Sequence, residues 1–232
     1  MQIFYTPDIS GIEYFLNEEE SKHAIRVLRM KTNDEIYMVD GKGTFFKAII
    51  ADPHPKKCRI IVQETIPDFE RRPYSLHIGI SPLKNPDRFE WFLEKATEIG
   101  IDEITPILCE HSEKKNINPE RCNRIIESAM KQSIKAKHPI LNRLVKINEF
   151  VSAGLLGTRL IATCEGEREF IRNIYVPRND VVILIGPEGD FSETEVTSAK
   201  INGFVPVSLG SNRLRTETAG VVATDTISIL NL

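Results

Sequence analysis

The sequence predicts an α/β protein built on a mostly parallel sheet, with a small β-barrel or meander ahead of it. Two observations predict the sheet. From residue 74 onward, apolar runs alternate with stretches of helical periodicity, and one run, Val181 to Ile185, is apolar at every position. Alternating strands and helices imply parallel pairing with both sheet faces covered, and strands buried on both faces read as unbroken apolar runs. A third observation predicts the separate domain: residues 35–66 alternate short β-rich runs with turn signals.

In chain order, "NEEESKHAIRVLRM" (17–30) reads as one helix, with Asn17 as N-cap and Glu18 to Glu20 in the first turn, where the helix dipole favours acids. Asp40-Gly41 with Gly43 suits a hairpin, and Asp52-Pro53 with Pro55 makes a second break. "PDFERRP" (67–73) is charged, short and bounded by proline, so the expected division is 1–70 and 74–232. Residues 75–83 then form a strand. Asn85-Pro86 caps and opens a helix whose Phe89, Phe92, Leu93, Ala96 and Ile99 lie on one stripe, and Gly100 ends it. Residues 101–108 are the next strand, and Asn118-Pro119 opens a helix turning Ile125, Ile126, Ala129, Met130 and Ile134 inward. Strands follow at 158–165 and 180–189. Ser192 and Glu195 form a capping box for a helix ending near Gly203, and 204–210 is the last strand. Thr216 or Thr218 is the expected cap of a final helix.

Composition fits a folded globular chain: 232 residues, 41% apolar and 27% charged. No apolar run approaches the ~18 residues of a membrane span, and the N-terminus lacks a signal-peptide pattern, so a cytoplasmic location without membrane association is expected. Cys58, Cys109, Cys122 and Cys164 form no CxxC pair and read as free thiols. Cys109, His111 and Cys122 match no common zinc spacing, and no metal is expected. Net charge is −3, yet residues 128–148 hold no acid and carry Lys131, Lys135, Lys137, Arg143 and Lys146. Basic clusters also lie at 22–31, which includes Arg26 and Arg29, and at 54–59. Local patches on a mildly acidic body suit a protein that grips a polyanion in one place, although each patch alone reads equally well as a solvated face.

Ligands of parallel sheets sit beyond the carboxyl ends of the strands. Three such ends carry unusual sequences: "TCEGE", "GPEGD" and "LGSNRLRTETAG". Gly186 and Gly189 let a ligand approach the main chain, and Pro187 stiffens the turn between them. The P-loop pattern is absent, and Glu188 and Asp190 would repel a phosphate, so the loop better suits a ligand with positive charge or ribose hydroxyls. A tight strand-to-helix turn without a ligand is the plain alternative. Arg215 is either a partner of Glu217 or Glu188, or a ligand of the substrate.

"IGPEGDFSETE" and "SLGSNRLRTETA", with "EKATEIGIDEITPI" upstream and "HAIRVLR" near the start, strongly resemble the RsmE family of 16S rRNA (uracil-N3)-methyltransferases of the SPOUT superfamily, over nearly the whole chain. The resemblance implies an N-terminal PUA-like β-barrel that helps bind RNA, and a C-terminal α/β domain ending in a trefoil knot. It implies a homodimer acting on 16S rRNA or the small ribosomal subunit, with S-adenosylmethionine in the knot. By the same match, one wall of the cofactor site is Thr163, Cys164 and Glu165, and the knot loop supplies Gly186, Pro187, Glu188 and Gly189. Leu209, Gly210, Asn212, Leu214, Arg215 and Ala219 then line the adenine and methionine ends. Arg215 is expected to stabilise a uracil anion, with Glu217 or Glu188 as base. Arg26, Arg29, Lys84, Lys131 and Lys135 are the expected RNA contacts. Two departures stand out: Asp190 occupies the place of a usual second glycine, and Lys131 and Lys135 fall where many members carry a pattern ending in arginine. A SPOUT enzyme with another RNA target and a non-catalytic RNA-binding factor are the competing readings.

Overall fold

A computed structural model describes residues 2–164 and 166–232, which form two compact units. The first comprises Met1–Arg71 with Glu127–His138, and the second Arg72–Ile126 with Pro139–Leu232. The first unit thus takes in a stretch, 127–138, that the sequence pattern groups with the second.

In the first unit β1 (Ile3–Tyr5), β2 (Glu13–Phe15), β3 (Glu35–Val39), β4 (Phe45–Asp52) and β5 (Arg59–Ile66) form a sheet of order β1-β3-β4-β5-β2. The turn between β3 and β4 is held by Asp40, whose Oδ1 accepts the N–H groups of Lys42 (2.7 Å) and Thr44 (2.9 Å). Asn17 caps α1 (Glu18–Lys22), its side chain accepting from Glu20 N–H at 2.8 Å. The helix expected to reach residue 30 stops earlier: the chain continues as one π-helical turn, His23–Val27, and Arg29 adopts φ +57. Phe4, Leu16, Ile36, Met38, Ile50 and Ile60 fill the interior of the unit.

The second unit runs β6 (Leu76–Ile80), α2 (Pro86–Ile99), β7 (Glu103–Leu108), α3 (Pro119–Gln132), β8 (Ile140–Leu141), β9 (Val145–Lys146), α4 (Ile147–Val151) and β10 (Thr158–Ala162). It continues with β11 (Glu169–Phe170), α5 (Ile171–Ile174), β12 (Val181–Ile185), α6 (Glu193–Ile201), β13 (Val205–Ser208) and α7 (Thr216–Leu230). The second half of α3 belongs to the first unit. The sheet order is β11-β13-β10-β12-β6-β7-β8, with β9 also on β7, and every pairing is parallel.

β12 lies near the middle, and all five of its residues are buried. Val181, Ile183 and Ile185 join a core with Phe89, Phe92, Leu93, Ala223 and Ile227 from α2 and α7. Val182 and Leu184 point the other way, into a core with Phe150, Ala199 and Phe204. At ~25 cal/mol per Å² of apolar surface, these two layers are the main source of the unit's stability. Local signals set the helix ends: Asn85 accepts from Asp87 N–H (2.9 Å), and Ser192 and Glu195 bond reciprocally as a capping box. α7 is the exception. Its N-cap position is Arg215, which makes no side-chain cap bond, and Thr216 is already helical. The Thr216 hydroxyl instead donates to Gly186 C=O at 2.9 Å, tying the helix start to the loop after β12.

Candidate active site

The adjacent strands β13, β10 and β12 end together, and the segments leaving them enclose a cavity of about 630 Å³. That is within the ~300–1,000 Å³ usual for a small-molecule site. One wall is Ala162 to Cys164. A second is Ile185 to Glu188 with Asp190, and the third is Ser208 to Thr216 with Ala219. Gly186 is buried, and a Cβ there would come within 3.1 Å of the Phe191 ring, which would have to give by a few tenths of an ångström.

Of the sequence-predicted cofactor residues, Thr163, Cys164, Gly186, Pro187, Glu188, Leu209, Gly210, Asn212, Leu214, Arg215 and Ala219 all line this cavity. Glu165 lies outside the described residues. Gly189 does not line the cavity; its carbonyl is turned to His111 Nδ1, 3.1 Å away. Glu188 is exposed at the wall.

Glu217, the favoured base, is not among the lining residues. It sits on the buried face of α7, 6% exposed, with Arg88 Nε 3.7 Å from its Oε1. Its Oε2 has no hydrogen-bond partner among the described residues. Helical phase explains the difference: Glu217 shares its face with Gly220, Thr224 and Ile227, which pack inward. Arg215, one residue before α7, is exposed on the cavity wall, and no described side chain pairs with its guanidinium.

Two further cavity arginines escaped the sequence reading as site residues. Arg213 Nη2 lies 3.4 Å from Glu188 C=O, and Arg168 Nη1 lies 3.4 Å from Thr163 C=O. Arg213 sits in the same run as Arg215, which was a usable signal; Arg168 carries none.

The expected RNA contacts separate. Arg26 and Arg29 are exposed on the first unit, and Arg26 shares a shallow depression with Glu18, Glu19, Lys22, His23 and Val27. Lys135 is half-buried. Lys131 is engaged by Glu20 (3.2 Å) and Glu127 (3.1 Å), so its charge is largely neutralised within the first unit. Lys84 belongs to the second unit and pairs with Glu113 at 2.8 Å on the surface. Among the described residues no His, Cys, Asp or Glu cluster is placed to hold a metal ion. No described helix is long and apolar enough to cross a membrane.

His111 braces the loop after β12 from outside. Its Nδ1–H reaches the carbonyls of Asp190 (3.0 Å) and Gly189 (3.1 Å). The Asp190 carbonyl, with that of Gly189 and the charges of Glu110 and Glu195, raises its pKa against a smaller opposing effect of desolvation. The folded state therefore favours the protonated ring. This contribution is complete below the unfolded value of about 6.5 and is lost as pH rises through the higher folded value. The gap in thermal midpoint between the native chain and His111→Ala is expected to be wider at about pH 5.5 than at about pH 8.5. An equal gap at both would rule out this linkage.

Comparison with known proteins yields a consistent set. Residues 70–228 match the model of an RNA methyltransferase domain, and residues 16–63 that of an RNA methyltransferase PUA domain. Ribosomal RNA small subunit methyltransferase E of Aquifex aeolicus is 28% identical over 227 residues, covering 95% of this chain and 96% of the relative. The enzyme of the same name from Rickettsia conorii is 27% identical, covering 88% and 84%. Among solved structures, a probable rRNA-methyltransferase from Porphyromonas gingivalis is 42% identical, with a TM-score of 0.94 over 100% of this chain and 98% of that one. Ribosomal RNA small subunit methyltransferase E from Neisseria gonorrhoeae, bound to S-adenosylmethionine, is 25% identical with a TM-score of 0.84 over 100% and 98%.

Proposed function

We infer that this chain, which belongs to the RNA methyltransferase domain family and within it to the RsmE group, methylates N3 of one uridine in small-subunit rRNA, with S-adenosylmethionine as donor. The observation that carries this reading is the cavity formed where three parallel strands end, lined by the segments that hold the family resemblance.

The residues present fit that donor. Glu188 and Asp190 set two carboxylates on the wall, which suits a ligand carrying a sulfonium and an ammonium. The main chain of Gly186 and Leu209 borders the space for a flat base and a ribose, and Ile185, Leu214 and Ala219 supply apolar surface. When bound, S-adenosylmethionine supplies an electrophilic methyl group. The protein's task is then alignment of the two partners and removal of the N3 proton.

N3 carries a proton and attacks well only as it leaves. Arg215 sets a guanidinium free of competing side chains against the charge that develops on the uracil. Of the two wall carboxylates, Asp190 is held by the N–H groups of Cys164 and Phe191, which leaves Glu188 to take the proton, while Glu217 sits off the cavity beside Arg88. N3 is hidden in a normal base pair, so the target uridine must be unpaired or turned outward. Arg26, Arg29 and Lys135 contribute to phosphate attraction, and that part of the binding weakens with salt. Lys131 and Lys84 contribute less because acids already engage them. The working form in this proposal is a homodimer in the cytoplasm, where its RNA is made.

The test is nucleoside mass spectrometry of small-subunit RNA from cells lacking the gene, before and after incubation with the protein and labelled S-adenosylmethionine. Labelled 3-methyluridine is the expected product. Label in a ribose-methylated nucleoside would replace the uracil-N3 assignment by another RNA target. No label on free RNA or assembled subunits, with the cofactor bound, would favour a binding role.

A further inference from the structure

Asp190, which the resemblance sets where a second glycine is usual, is bonded on all sides. It adopts φ +61, in the left-handed region where glycine is the easy occupant and aspartate is tolerated. Its Oδ2 accepts the N–H of Cys164 at 2.8 Å, and its Oδ1 accepts the N–H of Phe191 at 2.8 Å. Its own N–H donates to Pro187 C=O at 3.0 Å, and its C=O accepts from His111 Nδ1 at 3.0 Å. Segments following β7, β10 and β12 therefore converge on one residue. Two of them are cavity walls, since Cys164 and Asp190 both line it. Burial, and next the Asp190 charge, raises the Cys164 thiol pKa. Glycine would relieve the backbone and lose both carboxylate bonds.

We propose that Asp190 is a positioning residue for the methyl donor: its carboxylate ties the segment after β10 to the loop after β12, and so holds two walls of the cavity at their binding separation. This rests on the cavity being the S-adenosylmethionine site. The carboxylate-to-amide bond is charge-assisted, the stronger kind, and its effect is to order the wall before the ligand arrives.

The test uses the full chain with Asp190→Gly and Asp190→Asn. Glycine removes the tie without backbone strain, whereas asparagine keeps the left-handed tolerance and one acceptor oxygen. Three quantities are read: S-adenosylmethionine affinity by calorimetry, KM and kcat for methyl transfer, and amide exchange at Cys164 in the free protein. For Asp190→Gly, the expected result is about tenfold weaker cofactor binding, a matching rise in KM, kcat near the native value, and faster exchange at Cys164. Asp190→Asn should fall between that and the native chain. Native affinity in Asp190→Gly, or unchanged exchange at Cys164, overturns the proposal even if the variant melts earlier. If the native chain itself binds no S-adenosylmethionine, the functional reading fails first and takes the donor role of Asp190 with it.

Discussion

Replacing Arg215 by alanine is expected to slow methyl transfer about 10²- to 10³-fold, the usual consequence of removing one donor aimed at developing negative charge. Stability should barely change. Arg215 is exposed, makes no cap bond to α7 and pairs with no described side chain, so truncation strands no buried partner. Glu217, the carboxylate that sequence proximity pairs with it, is instead beside Arg88. Arg215→Lys keeps the charge but not the two-pronged donor, and should recover only part of the rate. Single-turnover transfer with cofactor prebound isolates the step. The deficit should narrow as pH rises, because solvent then shares in removing the N3 proton. A loss confined to cofactor affinity, with the prebound rate intact, would assign Arg215 to the donor instead of the uracil.

What was legible in the sequence depended on range. The strand Val181–Ile185 declared itself because both of its faces are covered, leaving no polar alternation, whereas Leu76–Ile80 is equally buried yet carries His77 and Gly79 at alternate positions. Helix starts at Asn85 and Ser192 were legible because a cap is decided within about three residues. The cavity followed from the strand-end rule together with the family resemblance, and its lining residues come from runs that look odd in isolation. Distant pairings were not legible. Glu20 meets Lys131 from 111 positions away, so a lysine counted as a free cation is a neutralised one. Asp190 meets Cys164 across 26 positions, so a residue noted only as a departure turns out to join two walls. The inward turn of Glu217 did carry a signal: 217, 220, 224 and 227 follow helical spacing with small or apolar residues after the first. Placing the helix start at Thr216, inside α7, would have put Glu217 on that stripe. The π-helical turn after Lys22 has no comparable local mark.

The same stripe sets a large stability effect for a single added side chain. A Cβ at Gly220 would lie 2.6 Å from Cδ2 and Cε2 of Phe92 and 3.0 Å from Cδ1 of Ile80. Both neighbours are fully buried in the core between α2, α7 and β6, so neither can retreat without moving others. Alanine in a helix interior gains about 1 kcal/mol of propensity over glycine, which offsets part of an overpacking cost of about 1–3 kcal/mol. Valine enlarges the clash and is a poorer helix former than alanine. Gly220→Val is therefore expected to cost about 3 kcal/mol, or roughly 6–12 °C in the midpoint of the unit that holds α7, with Gly220→Ala losing less. The damage should reach the cavity as well. α7 meets the cavity through Thr216, whose hydroxyl holds the carbonyl of Gly186, so a helix pushed off Phe92 pulls on the loop after β12. Thermal unfolding and cofactor calorimetry on the two variants should fall in the same order, native above alanine above valine. A valine variant that melts like the native chain would show that α2 and α7 yield to each other far more easily than their packing implies.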